Sequence, residues 1–168
     1  AYVMMAFRIA WFKVHEPLAF YSAYFYRRSQ KNSFDAELMT EGIDKVKAKI
    51  NELRSKQTSA TEDDVLTTLD VVYEFYLRGF SFAPRSVTGS DATKFLIVDE
   101  THLRAPFVAI SGLGEAAAND LAAAARSGGS FVSIEELSAA CPKVSQTHLQ
   151  TLKDMGALGD LPDTSQMT

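Results

Sequence analysis

Between Val65 and Leu77 the apolar residues Val65, Leu66, Leu69, Val72, Tyr73, Tyr76 and Leu77 recur at the spacing of one stripe on a helix of 3.6 residues per turn. Thr61, with Asp64 three residues later, predicts where that helix starts. Gly79 stands where it should end, because glycine takes positive φ without the Cβ penalty. With 168 residues, 46% of them hydrophobic and 23% charged, the chain is long enough to bury such a stripe in a real core, in one domain or two small ones.

The flanking segments follow the same reading. Tyr2 to Lys13 is crowded with apolar and aromatic side chains and predicts a largely buried helix. Val14, His15 and Glu16 break it, and Pro17 suits the first position of a second helix running to about Arg28, whose Tyr21, Tyr24, Phe25 and Tyr26 are assigned to the core. Asp35 to about Lys56 reads as a third helix with one strongly charged, solvated face. Phe80 to Gly89 reads as loop, and short strands are expected at Phe95 to Val98 and His102 to Ala105. An alanine-rich helix should run from Glu115 to about Arg126, stopped by Gly128 and Gly129. Ser133 with Glu136 opens a further helix that ends near Cys141-Pro142, and Ser145 caps a last one, Gln146 to Met155, closed by Gly156. Pro162 to Ser165 are loop formers without apolar periodicity, so the end is expected not to be fixed onto the domain. The fold class is therefore mainly α with a small β element.

Composition removes several functions. The apolar opening run is interrupted by Arg8 and is too short to cross a bilayer, which takes roughly 20 apolar residues. It lacks the architecture of a signal peptide. Cys141 is the only cysteine, so neither an internal disulfide nor a cysteine zinc cluster can form, and a cytoplasmic protein is expected. His15, His102 and His148 lie far apart, with no carboxylate spacing that suggests a metal site, and no nucleotide-binding glycine pattern is present. Charge is unevenly distributed. Residues 1–60 hold ten Lys and Arg against six Asp and Glu, or +4, whereas residues 61–168 hold seven against fifteen, or −8. An acidic second half argues against binding nucleic acid through a broad basic field.

One segment escapes that restriction. Ile110-Ser111-Gly112-Leu113-Gly114, followed by Ala118, has the form of a helix-hairpin-helix turn. Glycines here let backbone N–H groups point outward at a helix N-terminus, and without side chains a phosphate can approach them and the positive end of the helix dipole. Such a site holds the DNA backbone without reading bases and needs few lysines. Arg104, Arg126 and Lys143 are secondary candidates for supporting cations. A second turn, Pro142-Lys143-Val144-Ser145, lacks glycines and reads as a degenerate copy, giving a tandem helix-hairpin-helix over about residues 104–160.

Several stretches, in order, resemble the C-terminal region of bacterial DNA polymerase III alpha subunits of the PolC type. Ala1 to Leu18 is similar to the end of its fingers region. Arg78-Gly79-Phe80-Ser81-Phe82, Ser90 to Phe95 and Pro106 to Gly114 are similar to successive stretches further on, and Leu161-Pro162-Asp163 with Gln166-Met167-Thr168 to its extreme tail. The resemblance implies that residues 1–32 complete a fingers region and residues 33–168 form a duplex-binding domain. It also implies a parent enzyme that adds deoxynucleotides to a primer with Mg²⁺, using palm carboxylates that no residue here matches. No cofactor is expected for these 168 residues, and no catalytic residue. In that family a tail peptide of the form Gln-x-x-Leu-Phe binds the sliding clamp. Gln166 matches its first residue, but the given sequence ends at Thr168 without the Leu-Phe pair, so weak clamp binding is expected of it. From the residues alone, a non-enzymatic helix-hairpin-helix module of a repair or recombination protein and a protein-interaction scaffold remain open alternatives.

Overall fold

Residues 1–127 and 131–163 are described by a computed structural model. In chain order they form α1 (Tyr2–His15), α2 (Pro17–Ser29), α3 (Ala36–Met39), α4 (Ile43–Arg54), α5 (Ala60–Leu77), β1 (Ser81–Phe82), β2 (Leu96–Ile97), β3 (His102–Arg104), a 3₁₀ turn (Phe107–Ala109), α6 (Glu115–Arg126), α7 (Ile134–Ala140) and α8 (Gln146–Asp154). The expected class, mainly α with a small β element, is what the chain adopts. The three strands make one small sheet in the order β1-β3-β2. In it β1 is parallel to β3, with Ser81 opposite His102, and β2 is antiparallel to β3, with Leu96 opposite Arg104.

Local chemistry sets most helix ends. Pro17 sits at the start of α2, where its missing N–H costs nothing. Gly79 has φ +86 and Gly156 has φ +70, so both stop their helices as the sequence predicts. The third helix is a correction: Asp35 to Lys56 is not continuous, because Thr40 and Glu41 leave the helix and Gly42, at φ +121, separates α3 from α4. The start of α5 also moves. Ser59, not Thr61, is the cap, and it forms a full capping box with Glu62. At α7, Ser133 Oγ accepts from the Glu136 N–H at 3.2 Å, while the Glu136 carboxylate accepts from Val132, one residue earlier than a capping box requires. Phe80 to Gly89 is loop except for β1. The glycines expected to stop α6, Gly128 and Gly129, lie outside the described residues.

The capping box carries a pH signature. A hydrogen bond and charge from Lys56, with the Ser59 backbone N–H, lower the Glu62 carboxyl from its ordinary 4.5 to about 2. A carboxyl whose folded pKa is depressed adds stability above its unfolded pKa, and that stability is lost as pH falls toward the folded value. Glu62→Gln is therefore expected to lower stability at neutral pH and to flatten the stability–pH curve between about 4.5 and 2. Urea melts across that window check it; parallel curves for the two proteins would refute it.

Two apolar cores organise the packing. The first joins α2 to α5 and the sheet around Tyr21, Phe25, Phe34, Phe75 and Phe95. Tyr21 and Phe25 are fully buried and Tyr24 and Tyr26 half-buried, as their assignment to the core requires. The second core joins the 3₁₀ turn to α6, α7 and α8 through Phe107, Ile110, Leu113, Leu121, Leu137 and Leu152. Met155 packs against both. Beside it lies Arg85, 7% exposed, whose guanidinium donates to Met155 Sδ and to Thr40 Oγ1, each at 3.0 Å. Burial pulls the Arg85 pKa down to about 10, against the opposing pull of Glu37, Glu41 and Asp35, so it remains a cation at neutral pH.

Two expectations are overturned. The helix α1 exists but buries no residue: Tyr2, Val3 and Phe7 are 88%, 81% and 67% exposed. Only its C-terminal end is tied down, by a Lys13–Glu74 ion pair of 2.8 Å and a bond from Arg78 to the Lys13 carbonyl. Apolar content shows that a segment seeks cover, not that cover is present within the same chain. At the other end, Pro162 and Asp163 are fixed without any apolar pattern. Their carbonyls accept from Ile134 and Glu135, filling the unsatisfied N–H groups at the start of α7, and Asp163 pairs with Lys153 at 2.6 Å. Thr164 and Ser165 lie outside the described residues. Among the described residues no helix is long and apolar enough to cross a membrane.

Candidate nucleic-acid interface

The first hairpin turn is built by its two apolar residues. Ile110 (1% exposed) and Leu113 (4%) insert into the second core, and Leu113 N–H donates to the Ile110 carbonyl at 3.1 Å to close the turn. Closure puts Gly112 at φ +78, where a side chain is strained, as in the third position of a tight turn. Ser111 and Gly112 are thereby pushed to the surface.

Gly114 has a different role. At φ −69 and ψ 160 it is extended and caps α6 without a side chain, and the first helical bond runs from Ala118 N–H to its carbonyl at 3.0 Å. The N–H groups of Glu115, Ala116 and Ala117 precede that bond and have no acceptor inside the helix. A Cβ added to Gly114 would meet nothing within 4 Å, whereas one on Gly112 would stand 3.4 Å from His148 Nε2. The two glycines are thus separable: Gly112 serves the turn, and Gly114 keeps the helix start bare. Glu115 places a carboxylate in the same first turn, so an anion arriving there meets one opposing charge.

Two clefts border the hairpin. One, of about 520 Å³, has Val108 to Gly114 on one wall and Asn32, Lys49 and Thr61 on another. The second, of about 470 Å³, runs between Leu113-Gly114-Glu115 and Tyr26, Gln30 and Thr93.

The candidate cations are not gathered at this turn. Arg104 donates to the carbonyls of Pro84 and Gly89 at 3.1 and 3.2 Å, tying down the loop before β2. A Cβ on Gly89 would lie 2.7 Å from Arg104 Nη1, so a side chain there would displace the guanidinium. Arg126 is exposed at the far end of α6, about 16 Å along the helix from Glu115. Lys143 lies on the second turn and pairs with Asp120 of α6 at 3.4 Å. That turn, Cys141 to Val144, leads into α8, whose cap Ser145 accepts from the His148 N–H at 3.3 Å. His148, set aside in the sequence as an isolated histidine, is the side chain the structure brings to the first turn. Its position three residues after a capping serine was the available signal, but which way its ring points was not. Gln166 lies outside the described residues. No group of three or more His, Cys, Asp and Glu side chains placed to hold a metal ion occurs among the described residues.

A glycine turn opening α6 from a buried Ile–Leu pair, backed by a second hairpin, defines the class: residues 79–167 match the helix-hairpin-helix motif family, and the chain belongs to it. Along its whole length the chain is also 43% identical to the PolC-type DNA polymerase III of Thermotoga maritima, 41% to that of Streptococcus thermophilus and 42% to that of Streptococcus suis. The resemblance read from the sequence is borne out. The chain spans 12%, 11% and 11% of the length of these curated relatives.

Proposed function

We propose that the chain is the part of a PolC-type replicative polymerase that holds duplex DNA through backbone phosphates, without reading sequence. The observation that carries this reading is the Ser111-Gly112-Leu113-Gly114 turn, exposed at Ser111, Gly112 and Gly114, with its bare helix start beside two clefts. Backbone donors suit a chain whose pI is about 5.4, because they need no basic field. Arg126 and Lys143 act at a distance at most, and Arg104 is the weakest candidate, since the loop carbonyls already engage its guanidinium.

Within this reading residues 1–32 complete the fingers and residues 33–168 make up the duplex-binding domain, in a cytoplasmic protein acting on the chromosome. The packing adds that α2 shares its core with α3 to α5, so the fingers segment and the duplex domain are joined by apolar contact and not by a loose linker. The parent's nucleotide addition uses Mg²⁺ held elsewhere; the described residues offer no carboxylate set for it, and no step of the reaction is assigned to them. Gln166 is the proposed first residue of a clamp-binding peptide, which titration of a sliding clamp against the chain with and without Leu-Phe after Thr168 tests.

Gly114→Val is the decisive variant. The position has normal φ and open space around an added Cβ, so the fold is expected to persist while phosphate approach is blocked. Duplex affinity measured by fluorescence anisotropy is expected to fall about tenfold or more, the equivalent of ~1.4 kcal/mol. Wild-type binding should be independent of sequence and weaken with salt by roughly one power of concentration per phosphate held. Equal binding by a folded Gly114→Val protein would make the hairpin a structural turn only.

A further inference from the structure

We infer that His148 donates a hydrogen bond to the same phosphate that the Ser111–Gly114 turn receives, so that both hairpins grip one phosphodiester strand. This rests on the duplex-binding reading above. His148 lies in the first turn of α8, half-buried, and one edge of its ring is fixed. Ser145 Oγ accepts the His148 backbone N–H and lies 2.9 Å from Nδ1. A hydroxyl has one proton to give, and Nδ1 is the acceptor the protein offers it among the described residues. The contact admits either direction; with the hydroxyl donating to Nδ1, the tautomer we infer, the imidazole proton resides on Nε2.

That nitrogen has no protein partner among the described residues, and it stands beside the glycine turn. The 3.4 Å from Nε2 to the Cβ position of Gly112 is an ordinary contact distance, so the imidazole edge and the turn share one patch of surface. Gly112 is exposed, and its missing side chain leaves the space above the turn open. A phosphate seated on the backbone donors there presents further oxygens to the side, within reach of an N–H at that edge. The glycine-free second hairpin thus contributes a side-chain donor in place of a second bare turn. It positions His148 through Ser145, and its own turn need not touch DNA.

The test compares the wild-type chain with His148→Ala, His148→Gln and Gly114→Val, using a short fluorescent duplex in anisotropy titrations and thermal melts to verify folding. His148→Ala is expected to weaken binding about tenfold, the low end for a hydrogen bond to a charged group. His148→Gln, which restores an N–H at similar reach, is expected to recover most of that loss. Nitrogen-15 spectra of the wild-type imidazole should show the Nε2–H tautomer in the free protein and a shift of that resonance on adding duplex. If Gly114→Val loses binding while folded His148→Ala and His148→Gln bind like wild type, the inference falls and the duplex reading stands. Equal losses in the Ala and Gln variants, or an Nε2 resonance that duplex does not move, also overturn it. If wild type binds no duplex, or Gly114→Val binds as well as wild type, the duplex reading itself fails and takes this inference with it.

Discussion

Replacing Phe25 by alanine is expected to cost about 3–5 kcal/mol, the range for deleting a buried phenyl ring. Phe25 is fully buried at the centre of the first core. Its ring lies 5.3 Å from Phe34, 5.5 Å from Phe75, 5.7 Å from Phe82 and 5.8 Å from both Tyr21 and Phe95, centroid to centroid. Those neighbours come from α2, the α2–α3 connection, α5, β1 and the approach to β2. No single helix can shift to fill the gap without dragging the others. Each aromatic pair adds roughly 0.5–1.5 kcal/mol beyond the area it buries, which places the cost toward the upper end. A typical domain has only about 5–15 kcal/mol in total, so the variant should be marginal at best. Urea melts read the loss as a lower midpoint. A cost below about 1 kcal/mol would show that the core closes around the gap, contrary to the ring packing.

The second large effect concerns association. By itself the chain is expected to self-associate through α1 at micromolar concentration. Val3, Phe7 and Val14, 81%, 67% and 66% exposed, follow one another along the helix with Tyr2, Met4 and Ile9 beside them. Monomeric soluble proteins seldom leave a contiguous apolar surface of this kind uncovered. Burying a large apolar side chain yields about 1.5–3 kcal/mol. Six such side chains yield about 9–18 kcal/mol, against the roughly 8 kcal/mol of a micromolar complex and the cost of association. Val3→Lys with Phe7→Lys should leave a monomer in sedimentation, because neither residue takes part in the Lys13 and Arg78 contacts that hold α1 to α5. Two chains that sediment alike, both monomeric, would show that α1 alone does not drive association. In the proposed parent the same surface would face the remainder of the fingers.

What could be read in the sequence was mostly what is decided within a few residues. The α5 stripe, the stops at Gly79 and Gly156 and the caps Ser133 and Ser145 are local chemistry. So is the Ile110–Gly114 turn, whose spacing fixes both its buried pair and its exposed glycines. Misreadings arose where a tertiary partner decides. The charged periodicity from Asp35 to Lys56 hid the break at Gly42, because helical spacing resumes on the other side of it. Pro162 and Asp163 gained their place from unpaired N–H groups on α7, a need invisible in their own composition. Arg104 resembled a free cation until the loop at Pro84 and Gly89 folded under it. His148 was unremarkable until Ser145 turned its ring toward a hairpin more than thirty residues earlier.

The junction at Arg85 and Met155 bears on how the chain comes apart. The two cores meet at Met155, which packs against both and whose sulfur accepts from Arg85, and along the 3₁₀ segment, where Phe107 and Ile110 enter one core and Ala109 the other. Two cores that share Met155 would open at the joint before either melts wherever parting them exposes less apolar surface than unfolding one. Amide exchange would then sort α6 to α8 and α2 to α5 into two cooperative blocks with separate protection. In the proposed duplex-bound state, such a joint would let the hairpin tilt as a rigid body to follow local changes in groove width while its turn keeps the same shape. Conformity to the duplex would then come from the hinge, and grip from the hairpin.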